Sequence, residues 1–117
     1  MKDLFLLCED QDLVKTVAHA AERMGYQTRS FSTMDHLSEA AAQFNPTIIL
    51  LDLDNASVRS ELIQCAAQSA PRTPIIALSG RSFHPELADA FAQHIRVCLR
   101  KPLDIEELSF WLRSFSR

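Results

Sequence analysis

The stretch Thr47–Asp54, "TIILLDLD", runs four large apolar residues directly into Asp52, with a second acid at Asp54. A half-buried strand alternates apolar and polar residues, whereas a parallel strand covered on both faces reads as an unbroken apolar run. "TIILL" is of the second kind, so Thr47–Leu51 is read as a central strand, with Asp52 standing where the chain leaves the core. Pro74–Ser79 has the same character. Shorter runs occur at Leu4–Cys8 and Arg96–Arg100, with a weaker one at Gln27–Phe31.

Between these runs the apolar residues recur at helical spacing. Leu13, Val17, Ala20 or Ala21 and Met24 mark one face, Leu37, Ala41 and Phe44 a second, and Leu62 with Ala66 or Ala67 a third. Leu87, Phe91 and Ile95 mark a fourth, and Ile105, Leu108, Leu112 and Phe115 a fifth. Gly25, Pro46, Pro71 and Pro74 punctuate the helix ends. Five strands alternating with five helices predict an α/β fold, a parallel sheet with helices on both faces. The 117 residues suit one domain, 1–117, with a self-sufficient core.

Composition narrows the function. A hydrophobic content of 47% and a charged content of 23% describe an ordinary soluble protein, and a net charge of -3 argues against direct nucleic-acid binding. The apolar run in "MKDLFLLCED" is too short for a signal peptide or a membrane span, which makes a cytoplasmic protein the expectation. Cys8, Cys65 and Cys98 show no Cys-x-x-Cys spacing and are read as reduced, packed thiols. His19, His36, His84 and His94 form no i,i+4 pair and are read as surface histidines.

Ligands of open α/β sheets bind beyond the carboxyl ends of the strands. There this sequence sets Glu9 and Asp10 after strand one, Asp52 after strand three, Ser79 after strand four and Lys101 after strand five. Clustered carboxylates need a cation, and oxygen-only ligands favour Mg²⁺. One carboxylate then serves as a nucleophile towards a phosphoryl group. Lys101 adds positive charge and Ser79 a hydrogen bond to a phosphoryl oxygen. Gly80 keeps the approach open, and Pro102 fixes the loop presenting Lys101, as a cis bond would.

"LFLLCED", "GY", "NPTIILLDLD", "TPIIALSG" and "LRKPLDIEEL" together resemble the receiver domain of response regulators, over roughly Lys2–Ser116. The resemblance implies a (βα)5 doubly wound, flavodoxin-like three-layer sandwich with a sheet of order 2-1-3-4-5. It implies that Asp52 is the phosphoacceptor, Ser79 the hydroxyl switch residue and Lys101 the site lysine. Mg²⁺ would be held by Glu9, Asp52 and the backbone carbonyl of Asp54, with Asp10 able to swing in. The phosphodonor would be a phosphohistidine on a sensor histidine kinase or a phosphotransfer protein, and the domain would not be a turnover enzyme.

The sequence also departs from that family. Cys8 replaces the outer acid of the strand-one pair, "DLDNASVRS" lacks the usual Pro and Gly, and Cys98 stands where a bulky Tyr or Phe is usual. Asp54 is read as a solvated loop acid, or else as a charge repelling phosphoryl oxygens that Arg81 partly offsets. Phe110 falls opposite the inward face of helix five and Trp111 on its flank, which marks a partner contact or a homodimer through helix 4, strand 5 and helix 5. Arg113 and Arg117 suit a helix C-terminus. Two alternatives to the phosphoacceptor reading stand on the same residues: a degenerate pseudo-receiver acting without phosphate and, more remotely, from "DLD", a haloacid-dehalogenase-type phosphatase.

Overall fold

The chain folds in strict alternation as β1 (Lys2–Leu7), α1 (Gln11–Glu22), β2 (Tyr26–Phe31), α2 (Met34–Phe44), β3 (Ile48–Asp52), α3 (Ser60–Ser69), β4 (Ile75–Ser79), α4 (Ala88–Gln93), β5 (Ile95–Arg100) and α5 (Ile105–Ser114). A 3-10 turn, Pro85–Leu87, leads into α4. The computed structural model describes residues 2–81 and 84–115. Ser116 and Arg117 lie outside them. All strand pairings are parallel, in the order β2–β1–β3–β4–β5, as expected. The chain reverses direction across the sheet between β1 and β3, which makes their carboxyl ends the crevice of a doubly wound fold.

Each interior strand feeds two cores. Phe5, Leu7, Ile49, Leu51, Ile75 and Ala77 pack on one face against Leu37 and Ala41 of α2 and Ile63 and Ala66 of α3. Leu4, Leu6, Ile48, Leu50, Ile76 and Leu78 pack on the other against Val17 of α1 and Leu108 and Leu112 of α5. β3 is buried along its whole length, Asp52 included. Burying Ile48–Leu51 contributes on the order of 6–12 kcal/mol. That exceeds the few kcal/mol needed to desolvate one paired carboxylate, so the strand draws the acid in with it.

Several helix faces differ from expectation. Ile63 joins Ala66 as a buried residue of α3, and Leu62 is only half-buried. Phe44 is 46% exposed, its ring lying under the Arg29 guanidinium at 4.7 Å rather than in the core. Ile95 belongs to β5, because α4 stops at Gln93 and Ile95 pairs with Ile75. Ile105 is exposed at the start of α5. Cys8 is buried as expected, but Cys65 and Cys98 are exposed. His84 is buried, not on the surface. Among the described residues no helix is long and apolar enough to cross a membrane.

Candidate functional site

The register of the sheet gathers the strand-end residues. Asp52 pairs with Leu78 and Ser79 with Arg100, so β3, β4 and β5 end side by side. The loops stay pinned as they leave: Leu53 N–H donates to Leu78 O at 2.8 Å and Lys101 N–H to Ser79 O at 2.9 Å. Lys101–Pro102 is a cis peptide bond, as the sequence led us to expect.

Asp52 is 5% exposed. Its Oδ1 accepts from Lys101 Nζ at 2.8 Å and from the Asp54 N–H at 3.0 Å, and its Oδ2 faces the Cys8 thiol at 3.5 Å. Cys8 therefore donates a weak hydrogen bond where a carboxylate would repel. Burial pushes its thiol up to about 11, with the charge of Asp52 adding to the shift, so it remains protonated at neutral pH.

Asp54 is not simply a loop acid. Its Oδ2 accepts from the Gly80 N–H at 2.9 Å and from Lys101 Nζ at 2.9 Å, so two carboxylates share one ammonium. Partial burial works against the Asp54 charge, but the bonds from Lys101 and Gly80 outweigh it and hold the carboxyl below its ordinary range. Desolvation likewise opposes the charge on Lys101, and the two carboxylates overcome it and raise the ammonium. A Cβ at Gly80 would stand 3.2 Å from Asp54 Oδ2, a tight contact that glycine avoids.

Ser79 is fully engaged away from Asp52. Its hydroxyl donates to Arg81 O at 2.8 Å and accepts from the Arg81 N–H at 2.9 Å, and it meets His84 Nε2 in a short hydrogen bond. The Arg81 guanidinium, a donor only, lies 2.7 Å from His84 Nδ1 and 2.7 Å from Glu86 Oε1. Nδ1 therefore accepts, and the neutral ring carries its proton on Nε2 and donates it to Ser79. In that tautomer His84 cannot act as a base towards the serine. His84 also stacks on Phe91, with ring centroids 5.9 Å apart. The ring was missed in the sequence because a lone loop histidine follows no period.

The remaining residues fall as follows. Asp10 is committed to α1 as its N-cap, accepting from the Asp12 and Leu13 N–H groups at 3.0 and 3.3 Å. An Asp just before a helical run is a capping signal, and it explains why this acid does not turn towards Asp52. Glu9 is exposed, and its carboxylate has no hydrogen bond or ion pair among the described residues. Among those residues no group of three or more His, Cys, Asp and Glu side chains is arranged to hold a metal. Asn55 organises the loop that lacks Pro and Gly, accepting from the Ser57 N–H at 2.8 Å and donating to Ser32 O at 3.1 Å. Cys98 lines an open groove of about 760 Å³ with Arg81, His84, Ala88, Phe91 and Arg100. Phe110 is 54% exposed, whereas Trp111 is half-buried, packed edge-on to it at 5.0 Å and stacked on Phe115 at 5.7 Å.

No family model matches the chain, and no curated protein matches it. Solved structures do. The receiver domain of a Francisella response regulator superposes with a TM-score of 0.82 at 16% identity, over 98% of this chain and 96% of that one. A receiver domain of a Pseudomonas aeruginosa sensor histidine kinase, with a magnesium ion in its active-site cleft, gives 0.83 at 16% identity over 97% and 96%. A Burkholderia pseudomallei response regulator, with a phosphorylated aspartic acid and a calcium ion, gives 0.80 at 22% identity over 92% of this chain and 64% of that one. Element order, strand order and these superpositions agree: the chain has the fold of response-regulator receiver domains.

Proposed function

We propose that this chain is a phosphoacceptor of a two-component relay, taking a phosphoryl group from a phosphohistidine of a sensor kinase or phosphotransfer protein onto Asp52. The observation that carries the proposal is Asp52 itself, buried at the tip of β3 with Lys101 Nζ 2.8 Å from Oδ1. An oxygen of Asp52 attacks phosphorus and an O–P bond forms. The P–N bond to the donor imidazole breaks, its electron pair remaining on nitrogen. Lys101 neutralises charge on the acceptor throughout, which is most of what a loose phosphoryl transition state asks of a protein.

The oxygen donors fit a largely hydrated Mg²⁺. Mg²⁺ commonly takes one or two carboxylates and completes its shell with water and phosphate. Glu9, whose carboxylate has no hydrogen bond or ion pair among the described residues, and Asp52 would hold it, with the Asp54 carbonyl. The Cys8 thiol and the capping Asp10 would not. When bound, the ion supplies positive charge to the phosphoryl oxygens.

Output would follow from Ser79. To reach a phosphoryl group its hydroxyl must leave His84 and Arg81, and these line the groove at Cys98, so a change at the site carries to the α4–β5 surface. The exposed Phe110 on α5 lies outside that groove, beside Arg23 and Met24 at the end of α1, and offers a partner or a second copy a separate contact. A second reading, a module that binds partners without phosphate, draws on Cys8 replacing a carboxylate and on the engagement of Ser79 by His84. A turnover phosphatase finds less support, since Asp54 is bound to Lys101 and Gly80 instead of free to act as an acid/base.

Mg²⁺ with a small-molecule phosphodonor, read by intact mass, tests the proposal. One phosphoryl adduct is expected on the wild type and none on Asp52→Asn. An adduct that persists in Asp52→Asn, or none on the wild type, refutes it.

A further inference from the structure

We propose that the Asp54 carboxylate is a resident anion in the seat that a phosphoryl group on Asp52 would occupy, so that phosphorylation begins with its displacement. The proposal deepens the phosphoacceptor reading and rests on it.

Three observations converge. Asp54 Oδ2 collects a backbone N–H from Gly80 and the ammonium of Lys101, both at 2.9 Å, while that ammonium also holds the acceptor Asp52 at 2.8 Å. A cation within hydrogen-bond reach of the acceptor, joined by a backbone N–H, is the donor set that oxygens of a transferred phosphoryl group require. A Cβ on residue 80 would stand 3.2 Å from the carboxylate oxygen, a tight contact, so glycine lets an anion sit close against this N–H. The Asp54 side chain is also one-third exposed, at 33%, so it can rotate into solvent without disturbing the core.

The alternative, an incidental surface ion pair, predicts contact with the lysine only, and such pairs contribute little. The added Gly80 bond and the sharing of one ammonium between two carboxylates are what that alternative leaves unexplained. A carboxylate offers one charge and two oxygens. A phosphoryl group covalently fixed to Asp52 offers more charge and three oxygens, and prevails once attached. Before attachment, the incoming donor must compete with an anion that is tethered two residues away. Asp54 thus sets a threshold on acceptance of phosphate, and substitution leaves its backbone carbonyl in place for the metal.

The test uses the whole chain with Mg²⁺ and acetyl phosphate, following adduct formation by intact mass in wild type, Asp54→Ala, Asp54→Asn and Asp52→Asn. Asp54→Ala is expected to form the adduct about tenfold faster than wild type, about 1.4 kcal/mol, with Asp54→Asn between them and Asp52→Asn blank. Independently, orthophosphate titrated against the ¹⁵N-labelled protein should shift the Gly80 amide saturably in Asp54→Ala and leave it unmoved in wild type. An Asp52 adduct formed at the wild-type rate in Asp54→Ala overturns the proposal and leaves the phosphoacceptor reading intact. So does an adduct that only lives longer, since Asp54 then acts on hydrolysis. If no variant forms an adduct, the phosphoacceptor reading falls and this proposal falls with it, and a Gly80 amide that orthophosphate leaves unmoved in Asp54→Ala overturns the proposal whatever the adduct does.

Discussion

Replacing Asp52 by Asn removes a buried charge while keeping its hydrogen bonds. The amide Oδ1 still accepts from Lys101 Nζ and from the Asp54 N–H. Its NH₂ takes the place of Oδ2 beside Cys8 Sγ, which changes from donor to weak acceptor. Three electrostatic contributions then disappear. Attraction to Lys101, for charge centres ~4 Å apart at an effective dielectric of ~20, is about 4 kcal/mol, and repulsion from Asp54 at ~5 Å is roughly 3 kcal/mol. Desolvation of a carboxylate at 5% exposure opposes folding by a few kcal/mol more. The charge on Asp52 is therefore net unfavourable, and Asp52→Asn should stabilise the fold by about 1–2 kcal/mol, or roughly 4–8 °C in Tm. Lys101→Met should do the reverse, since it leaves Asp52 buried without a cation; a loss of about 3 kcal/mol is expected. Urea unfolding at pH 7 and low salt reads both, with unchanged slope certifying that only stability moved. If Asp52→Asn destabilises by more than about 1 kcal/mol, the Asp52–Lys101 pair is a net stabiliser and the reasoning fails.

Stability should fall at both pH extremes. Asp54 has a folded pKa below its ordinary value, so its contribution is present above about pH 4 and is lost as pH falls through the folded value. Lys101 is raised, so its contribution is complete below about pH 10 and is lost as pH rises through the folded value. Urea midpoints against pH should show an acid limb that Asp54→Asn flattens; an unchanged limb speaks against the bonds from Lys101 and Gly80. A chromogenic disulfide reagent should modify Cys65 first and Cys98 more slowly, because partial desolvation of the Cys98 thiol and then the charge of Asp54 raise it although the residue is exposed. Cys8, buried and pushed up to about 11, should react only on unfolding; early reaction of Cys8 contradicts the packing at Asp52. Phe110→Glu should change folding stability by less than about 0.5 kcal/mol while weakening self-association or partner binding measured by light scattering or titration. Unchanged association removes Phe110 from the interface.

The fold was legible because β3 and β4 have no polar face, so "TIILL" and "PIIAL" announce strands buried on both sides. Asp52, Ser79 and Lys101 follow from the same fact, each standing where such a run stops or just beyond. What stayed hidden depends on side-chain direction in loops, where no period constrains it. Asp54 turns back onto Gly80 and Lys101, which residue spacing alone does not reveal. His84 is buried by stacking on Phe91, across the 3-10 turn, a contact that only the folded loop creates. Asp10, expected to swing towards the metal, caps α1 instead, a role that an Asp just before a helical run signals and that the reading of it as a metal ligand passed over.

The division of each interior strand between two packed faces also governs how this chain can diverge. Losing or gaining one residue within Ile48–Leu51 would exchange the side chains of both cores at once and send the acceptor to the opposite side of the sheet. Length in β3 is therefore fixed, while single substitutions at its margins are cheap. Cys8 and Asp54 stand just beyond strand ends and Cys98 on the edge strand β5, where a new side chain alters the chemistry and leaves the parity untouched. Change confined to such positions replaces what stands around the acceptor and leaves the strand order intact.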